Sequence, residues 1–462
     1  MARLPSGAPG LDDVVGGGLP ASGINLILGL PGSGKTLLAQ QYVFANATVE
    51  RPAVYLSTVS EPFEKIIRYG QTLSFFDVDA VGQRVFYEDV GAALIEGGLS
   101  AVSDRIEELL NVYEPGLLVI DSFKPFTSFA GSDSNHRRFL HVLAARLSVR
   151  PVASLWVGEY SAAEMTSAPE FAVADAVLWL TSARHDERDT RLLQVLKMRG
   201  SAFLSGRHAY RLSAAGLRVF PRLADAGDQS GYGFQEGRTS SGVQALDVLL
   251  GAGYTSGSCT LVVGPSGVGK TVAGLHFVFE GARRRESTIF ATVEENPSQL
   301  RRTAAGFGWS FEHPGLHLMY RSAVDLYVDE WVYDLLGLID NLEARRVFID
   351  GLGSLRSCTP DPVRFREYIY SLVQRCSRHG VALMMSLETV ELFGITRLTE
   401  AALSQMADNI LLLQFVRRNA DYKRAITVLK SRAAKGEPHM HGYTIGATGI
   451  AFTRRGPANR AV

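Results

Sequence analysis

The sequence predicts an α/β chain of two consecutive domains, each a mainly parallel twisted sheet flanked by helices. Three observations predict it. At 462 residues the chain is too long for one ordinary core and suits two domains of the usual size, roughly 100–200 residues each. Short, uniformly apolar runs alternate with longer stretches of helical period, as buried parallel strands alternate with the helices that cover them. The chain also repeats itself at a nearly constant spacing.

The repeat is visible at four places. Leu11-Asp12 followed by Gly16, Gly17 and Gly18 returns as Leu246-Asp247 followed by Gly251 and Gly253. Gly-Leu-Pro-Gly-Ser-Gly-Lys-Thr at 29–36 returns as Gly-Pro-Ser-Gly-Val-Gly-Lys-Thr at 264–271, an offset of 270 − 35 = 235 between the lysines. Leu-Leu-Val-Ile-Asp121 returns as Arg-Val-Phe-Ile-Asp350, at 350 − 121 = 229, and Val-Leu-Lys197-Met-Arg199 as Val-Leu-Lys430-Ser-Arg432, at 430 − 197 = 233. Between the copies, 224–242 is rich in Gly, Ser, Asp and Gln, which is linker composition. The expected layout is therefore a first domain at 1–225, a linker at 226–240, a second domain at 241–453 and a short basic tail at 454–462.

Within the first copy, 24–28 reads as a buried strand, and the helix from Thr36 should turn Leu38, Tyr42 and Ala45 to one face. The second copy repeats this with a strand at 260–263, then Leu275, Val278 and Phe279. Further strands are expected at 53–57, 117–120 and 152–157, matched by 288–291, 347–349 and 381–385.

Composition narrows the class. With 46% hydrophobic and 20% charged residues the chain reads as globular, with sizeable cores. Lys plus Arg equals Asp plus Glu at 47 each, so no global field gathers nucleic acid or an acidic membrane, and neither partner is expected. Cys259, Cys358 and Cys376 are odd in number with no Cys-x-x-Cys spacing; no disulfide framework or structural zinc is expected, and a reducing cytoplasm fits. Residues 1–10 lack the pattern of a signal peptide, and no apolar run approaches the roughly 18 residues of a spanning helix.

The two glycine-rich repeats carry the chemistry. Gly29, Gly32, Ser33 and Gly34, like Gly264, Gly267, Val268 and Gly269, let the backbone curl its N–H groups around phosphates at a helix N-terminus. Lys35 and Lys270 then meet the outer phosphates as point charges, and the hydroxyls of Thr36 and Thr271 suit a magnesium shell. Both sites should bind Mg²⁺ and ATP. Asp121 and Asp350 each end an apolar strand, where the second magnesium carboxylate stands; capping a turn is the alternative.

Glu61, after Ser60, and the pair Glu294-Glu295 follow the strand after each loop helix. A carboxylate there is placed to orient and deprotonate an attacking water or hydroxyl, or is simply a solvated turn acid before Pro62 or Pro297. Lys197 with Arg199, and Lys430 with Arg432, are two apart on predicted strands. Each pair projects from one face, suited to the γ-phosphate of a neighbouring subunit in trans, or to solvent.

Taken in order and in duplicate, these residues resemble the KaiC-like group of RecA-fold ATPases. The match runs over nearly the whole chain, from the Gly-rich lead-in and both phosphate loops to Lys197-Met-Arg199-Gly200 and the segment Ala-Asp-Asn-Ile-Leu-Leu-Leu-Gln-Phe-Val at 407–416. The resemblance implies two tandem RecA-like domains, a double-ring homohexamer with ATP between subunits, an N-terminal ring that hydrolyses ATP and drives assembly, and a C-terminal ring that autophosphorylates on Ser and Thr. It also implies KaiB-like or two-component signalling partners and a role in signalling or clock-type regulation.

The family's phosphoacceptor pair falls on Ser404 and Gln405, so only the serine survives; Thr396 and Thr399 are nearby hydroxyls, and Ser404 also reads as a polar helix residue. Ser60 stands where the family's first glutamate is expected, which implies slower hydrolysis in the first domain. A second reading is a RecA-like DNA-handling ATPase, a recombinase mediator or helicase. It rests on basic residues after the two aspartates: Lys124, His136, Arg137 and Arg138, then Arg356, Arg364 and Arg366.

Overall fold

The computed structural model describes residues 2–58, 63–164, 168–185, 188–223, 237–324, 326–359, 361–389, 403–418, 421–432 and 438–453. It divides into two compact units, Met1–Arg222 and Leu223–Val462. Each is built on a nine-stranded sheet. In the first the order is Gly216–Phe220, Arg207–Ser213, Arg188–Met198, Ala176–His185, Gly23–Gly29, Ala153–Glu159, Leu117–Asp121, Ala53–Ser57, Val85–Asp89. In the second it is Gly449–Phe452, Met440–Gly446, Asp421–Ser431, Asn409–Arg418, Cys259–Gly264, Ala382–Glu388, Arg346–Asp350, Thr288–Thr292, Leu316–Tyr320. The two orders are the same.

Six strands of each sheet pair in parallel, and three more close it as an antiparallel extension. Every strand expected from the apolar runs is present, with ends moved by at most three residues and Ala53–Ser57 unmoved. The central strand shows why such a run stays put. Gly23–Gly29 is hydrogen-bonded on both sides, so its faces alternate between two cores: Leu26 and Leu28 pack into one and Ile27 into the other. Cys259–Gly264 does the same, Leu261 and Val263 against Val262.

The helix after the first loop, Lys35–Asn46, buries Leu38, Ala39, Tyr42 and Val43. Ala45, expected on that face, is exposed: at 3.6 residues per turn it lies about a quarter turn from the centre of the buried stripe. The second helix, Lys270–Arg283, buries Leu275, Val278 and Phe279 as expected.

Residues 237–240, expected within the linker, belong to the second unit. Arg238–Thr239 pairs with Tyr254–Thr255, and the buried Arg346 donates to the Ser240 carbonyl at 2.7 Å and to Phe277 O at 3.1 Å while pairing with Glu286. A buried guanidinium requires this many acceptors.

A side chain on the loop helix of each unit fastens the closing extension to it. In the first, Gln41 Oε1 accepts from Leu217 N at 2.8 Å. In the second, His276 Nε2 accepts from Ile450 N at 2.8 Å. Burial lowers the His276 pKa from its ordinary 6.5 to about 4, because the folded site takes the neutral ring. The stability this gives is fully present above pH 6.5 and is lost as pH falls from 6.5 towards 4, where the unfolded chain binds a proton that the fold refuses. The loss amounts to about 3 kcal/mol over that window. Denaturant melts followed by Trp309 and Trp331 should show it, and His276→Gln, which copies Gln41, should flatten the difference.

Candidate functional site

Each phosphate loop joins the central strand to the helix behind it. Gly34 and Gly269 have φ of 88° and 108°, and Gly32 and Gly267 of 75° and 74°, a region that L side chains rarely adopt. A Cβ on Gly34 would also lie 2.9 Å from Leu212 Cδ2, and one on Gly269 would lie 2.6 Å from Ile445 Cδ1. Gly29 and Gly264 answer a different need: a Cβ there would come within 2.2 Å of the carbonyl oxygen of Leu180 or Leu413 on the neighbouring strand.

The loop is held from outside by the antiparallel extension. Tyr210 Oη donates to Ser33 O at 2.7 Å, and Tyr443 Oη to Val268 O at 2.6 Å. Arg191 donates to Gly32 O at 3.0 Å, and Arg424 to Gly267 O at 3.3 Å. None of these four was among the sequence candidates. The signal was there, since both pairs recur at 443 − 210 = 424 − 191 = 233, the offset of the Lys-Arg pairs.

Both lysines fold back over their loops. Lys35 Nζ donates to Leu30 O at 2.9 Å and lies 3.7 Å from Glu159; Lys270 Nζ donates to Pro265 O at 2.9 Å and lies 3.6 Å from Glu388. Burial lowers the Lys35 pKa, against the pull of Glu159 and Asp121. Glu159 and Glu388, the last residues of Ala153–Glu159 and Ala382–Glu388, are a further matched pair that sequence reasoning passed over.

Thr36 Oγ1 donates to Asp121 Oδ2 at 2.8 Å, and Thr271 Oγ1 to Asp350 Oδ2 at 2.8 Å. The structure thus brings together the threonine and aspartate that the sequence reading assigned to one magnesium. Each aspartate also takes a second hydroxyl, from opposite flanking strands. Tyr55 Oη donates to Asp121 Oδ2 at 2.6 Å, whereas Ser386 Oγ donates to Asp350 Oδ1 at 2.5 Å. Phe290 occupies the position of Tyr55 in the second unit, and Val157 that of Ser386 in the first. Burial raises the Asp350 pKa, and the bonds from Ser386 and Thr271 oppose it.

Glu294 and Glu295 follow Thr288–Thr292, with both backbone N–H groups turned to Thr292 Oγ1 at 3.2 and 3.4 Å. Glu294 is exposed and accepts from Ser354 Oγ at 2.7 Å. Burial, then the negative charges of Asp350 and Glu294, raise the Glu295 pKa, the direction that makes a carboxylate a better proton acceptor. Ser60 and Glu61 lie outside the described residues.

The four cations expected to act in trans have partners within their own chain. Lys197 Nζ donates to Phe171 O at 2.9 Å, and Lys430 Nζ to Ala407 O at 2.6 Å and Ser404 O at 3.2 Å. Arg199 lies 3.4 Å from Asp175, and Arg432 3.3 Å from Asp408; both arginines are well exposed. Ser404 sits half-buried on the short helix Leu403–Met406, while Thr396 and Thr399 lie outside the described residues.

In the first unit the loop opens on a cavity of about 1010 Å³ lined by Gly34, Lys35, Thr36, Asp121, Lys124 and Glu159 among others. Several of the basic residues behind the DNA-handling reading are taken up internally: Lys124 pairs with Glu164 at 2.7 Å, His136 is buried 3.6 Å from Glu170, and Arg364 pairs with Asp329. Among the described residues no helix is long and apolar enough to cross a membrane.

A strand, a glycine-rich phosphate loop, a lysine, a threonine and a strand-ending aspartate, built twice on one sheet order, define a tandem RecA-like P-loop ATPase. The family model described as "ATPase: KaiC" matches residues 4–224 and again 239–456, and the chain belongs to the KaiC family of ATPases. It is 29% identical over 460 residues to circadian clock oscillator protein KaiC 1 of Synechocystis sp., covering 95% of this chain and 87% of that protein. It is also 29% identical over 463 residues to circadian clock oscillator protein KaiC of Picosynechococcus sp., covering 96% and 88%. The match to that of Thermosynechococcus vestitus is 28% over 464 residues, covering 96% and 88%.

Because Gly34 and Gly269 combine a left-handed backbone with an occupied Cβ position, Gly34→Ala and Gly269→Ala should each weaken ATP-analogue binding at their own site by about tenfold or more. Calorimetric titration with a non-hydrolysable analogue measures it, the unaltered domain serving as internal reference.

Proposed function

We propose that the two sites of this KaiC-family ATPase divide the work. The C-terminal site carries ATP turnover and phosphoryl transfer to a hydroxyl of a neighbouring copy; the N-terminal site holds ATP and supports assembly of a ring, a homohexamer as in the resemblance. The observation that carries this reading is the cluster of Glu294, Glu295 and Asp350 at the C-terminal site. Counted from the strand ends at 57 and 292, Glu294 matches Val59; counted from the buried helix positions Ile66 and Leu300, it matches Ser60. In neither register does the N-terminal site have a carboxylate at that position.

Thr36 with Asp121, and Thr271 with Asp350, are the residues that would hold Mg²⁺. Their hydroxyl and carboxylate oxygens, 2.8 Å apart beside the phosphate loop, are the hard donors this ion takes. Bound there, it would neutralise phosphate charge. Lys35 and Lys270 are already aimed at their loops and meet the outer phosphates. At the C-terminal site Glu294 and Glu295 orient the attacking water or hydroxyl and accept its proton, a role that the raised Glu295 pKa favours. Glu61 is the remaining candidate for this role at the N-terminal site. Lys197, Arg199, Lys430 and Arg432 reach a neighbour's γ-phosphate by exchanging their present partners for it, and Ser404 is the acceptor hydroxyl. A signalling or clock-type role in the cytoplasm, with KaiB-like or two-component partners, is part of the same reading and rests on likeness to the circadian clock oscillator proteins.

Lys35→Ala and Lys270→Ala, compared by sizing and by phosphate release, test the division. Lys270→Ala should lower turnover by about a hundredfold or more while the oligomer persists, and Lys35→Ala should lose the oligomer. The reverse pattern rejects it. Phosphate mapping by mass spectrometry after incubation with Mg·ATP should place label on Ser404, absent in Ser404→Ala; a chain with no label across 394–408 is not an autokinase of this kind.

A further inference from the structure

We infer that Ser354 is a positioning residue for turnover at the C-terminal site, holding Glu294 over the end of the strand Arg346–Asp350. The inference rests on the reading of that site as the seat of turnover. Ser354 lies on the helix Leu352–Ser357, directly after Asp350, and its Oγ donates to Glu294 Oε1 at 2.7 Å. Glu294 itself sits on an irregular turn between Thr288–Thr292 and the helix Pro297–Gly306, with an exposed side chain. A glutamate in such a place samples many rotamers unless something holds it, and a wandering base is a poor one.

A second feature makes room for the contact. Gly351 has φ of 93°, and a Cβ on it would fall 2.6 Å from Glu294 Cγ and 2.7 Å from its Cδ. Glu294 therefore lies across the bare backbone of Gly351, next to Asp350, and can do so only because that residue is glycine. Gly351 N in turn donates to Ser386 Oγ at 2.9 Å, the hydroxyl that also bonds Asp350. The strand end, the aspartate and the glutamate are thus referred to one small framework.

In sequence the first unit differs at every position of this contact. The helices after the two aspartates align without a gap, since Phe123 and Phe126 are buried where Leu352 and Leu355 are. In that register Ser122 stands at the position of Gly351 and Pro125 at that of Ser354, so the cradle and the donor are both missing. The residue at the position of Glu294 is Val59 or Ser60, neither of which carries a carboxylate. Three positions that touch one another in the second unit are all changed together in the first, as expected when the contact they share is kept in only one of the two units.

The test is a double-mutant cycle on the full chain, with turnover taken above the Lys270→Ala residual. Ser354→Ala favours the helix it sits in, so folding is not at risk. It should lower kcat about tenfold with KM for ATP within about twofold, since a hydrogen bond to a charged group is lost while nucleotide contacts remain. Ser354→Thr should restore most of the rate. In a Glu294→Gln background, Ser354→Ala should cost little more, the two effects being coupled. Full activity in Ser354→Ala beside a crippled Glu294→Gln overturns the inference, as does strict additivity of the two losses. Wild-type turnover in Glu294→Gln instead overturns the reading of the C-terminal site on which the inference stands.

Discussion

The hydrogen bond on which both sites depend runs from the threonine after each loop lysine to the aspartate at the end of a strand two places over from the one that feeds the loop. It is 2.8 Å long in each unit. Because the donor opens a helix and the acceptor closes a strand, this bond sets the angle between the phosphate loop and the sheet. A hydrogen bond to a partly buried carboxylate contributes on the order of 1.5–3 kcal/mol, enough to fix the aspartate's rotamer. What surrounds the site in each unit is a different way of supporting that pair.

The two units support it unequally. Tyr55 approaches Asp121 from the strand nearer the sheet edge and shares the oxygen that Thr36 uses; Ser386 approaches Asp350 from the strand nearer the loop and takes the other oxygen. A phenol and a small hydroxyl are not interchangeable in volume, and the residues at the vacated positions, Phe290 and Val157, fill the space without a donor at the carboxylate. The duplicated fold therefore keeps one geometric requirement, a doubly held aspartate, and meets it by different packing. This is how two copies of a domain drift apart while their backbones stay alike.

Much of this was legible in the sequence. The phosphate loops, Thr36 with Asp121, Thr271 with Asp350, and eight strands of the parallel cores follow from residue type and apolar runs, because a buried strand and a glycine turn have few alternatives. Less accessible were contacts between side chains far apart in sequence. Tyr55, Ser386 and Ser354 each lie near an obvious motif, yet nothing in a hydroxyl on a strand or helix says which carboxylate it will meet. The partners of Lys197 and Lys430 were hidden for a similar reason: strand period gives the face a cation leaves from, while the carbonyls it finds belong to a short helix or to the residue just after it. Ala45 misled because a helical stripe has finite width and residues at its margin go either way. The end of the linker misled because its polar composition does not distinguish a tether from the two-residue strand Arg238–Thr239.

The tyrosines that reach the loop carbonyls have a mechanical consequence. Tyr210 and Tyr443 stand on strands next to the outermost one, yet their hydroxyls end on Ser33 O and Val268 O inside the phosphate loop. With Arg191 and Arg424 gripping the adjacent glycine carbonyls, each loop is suspended between the central strand and the outer margin of the sheet. A pull or twist applied to that margin is delivered to the phosphates through rigid aromatic rings rather than through compliant backbone. Nucleotide binding, by stiffening the loop, must in turn be felt at the rim.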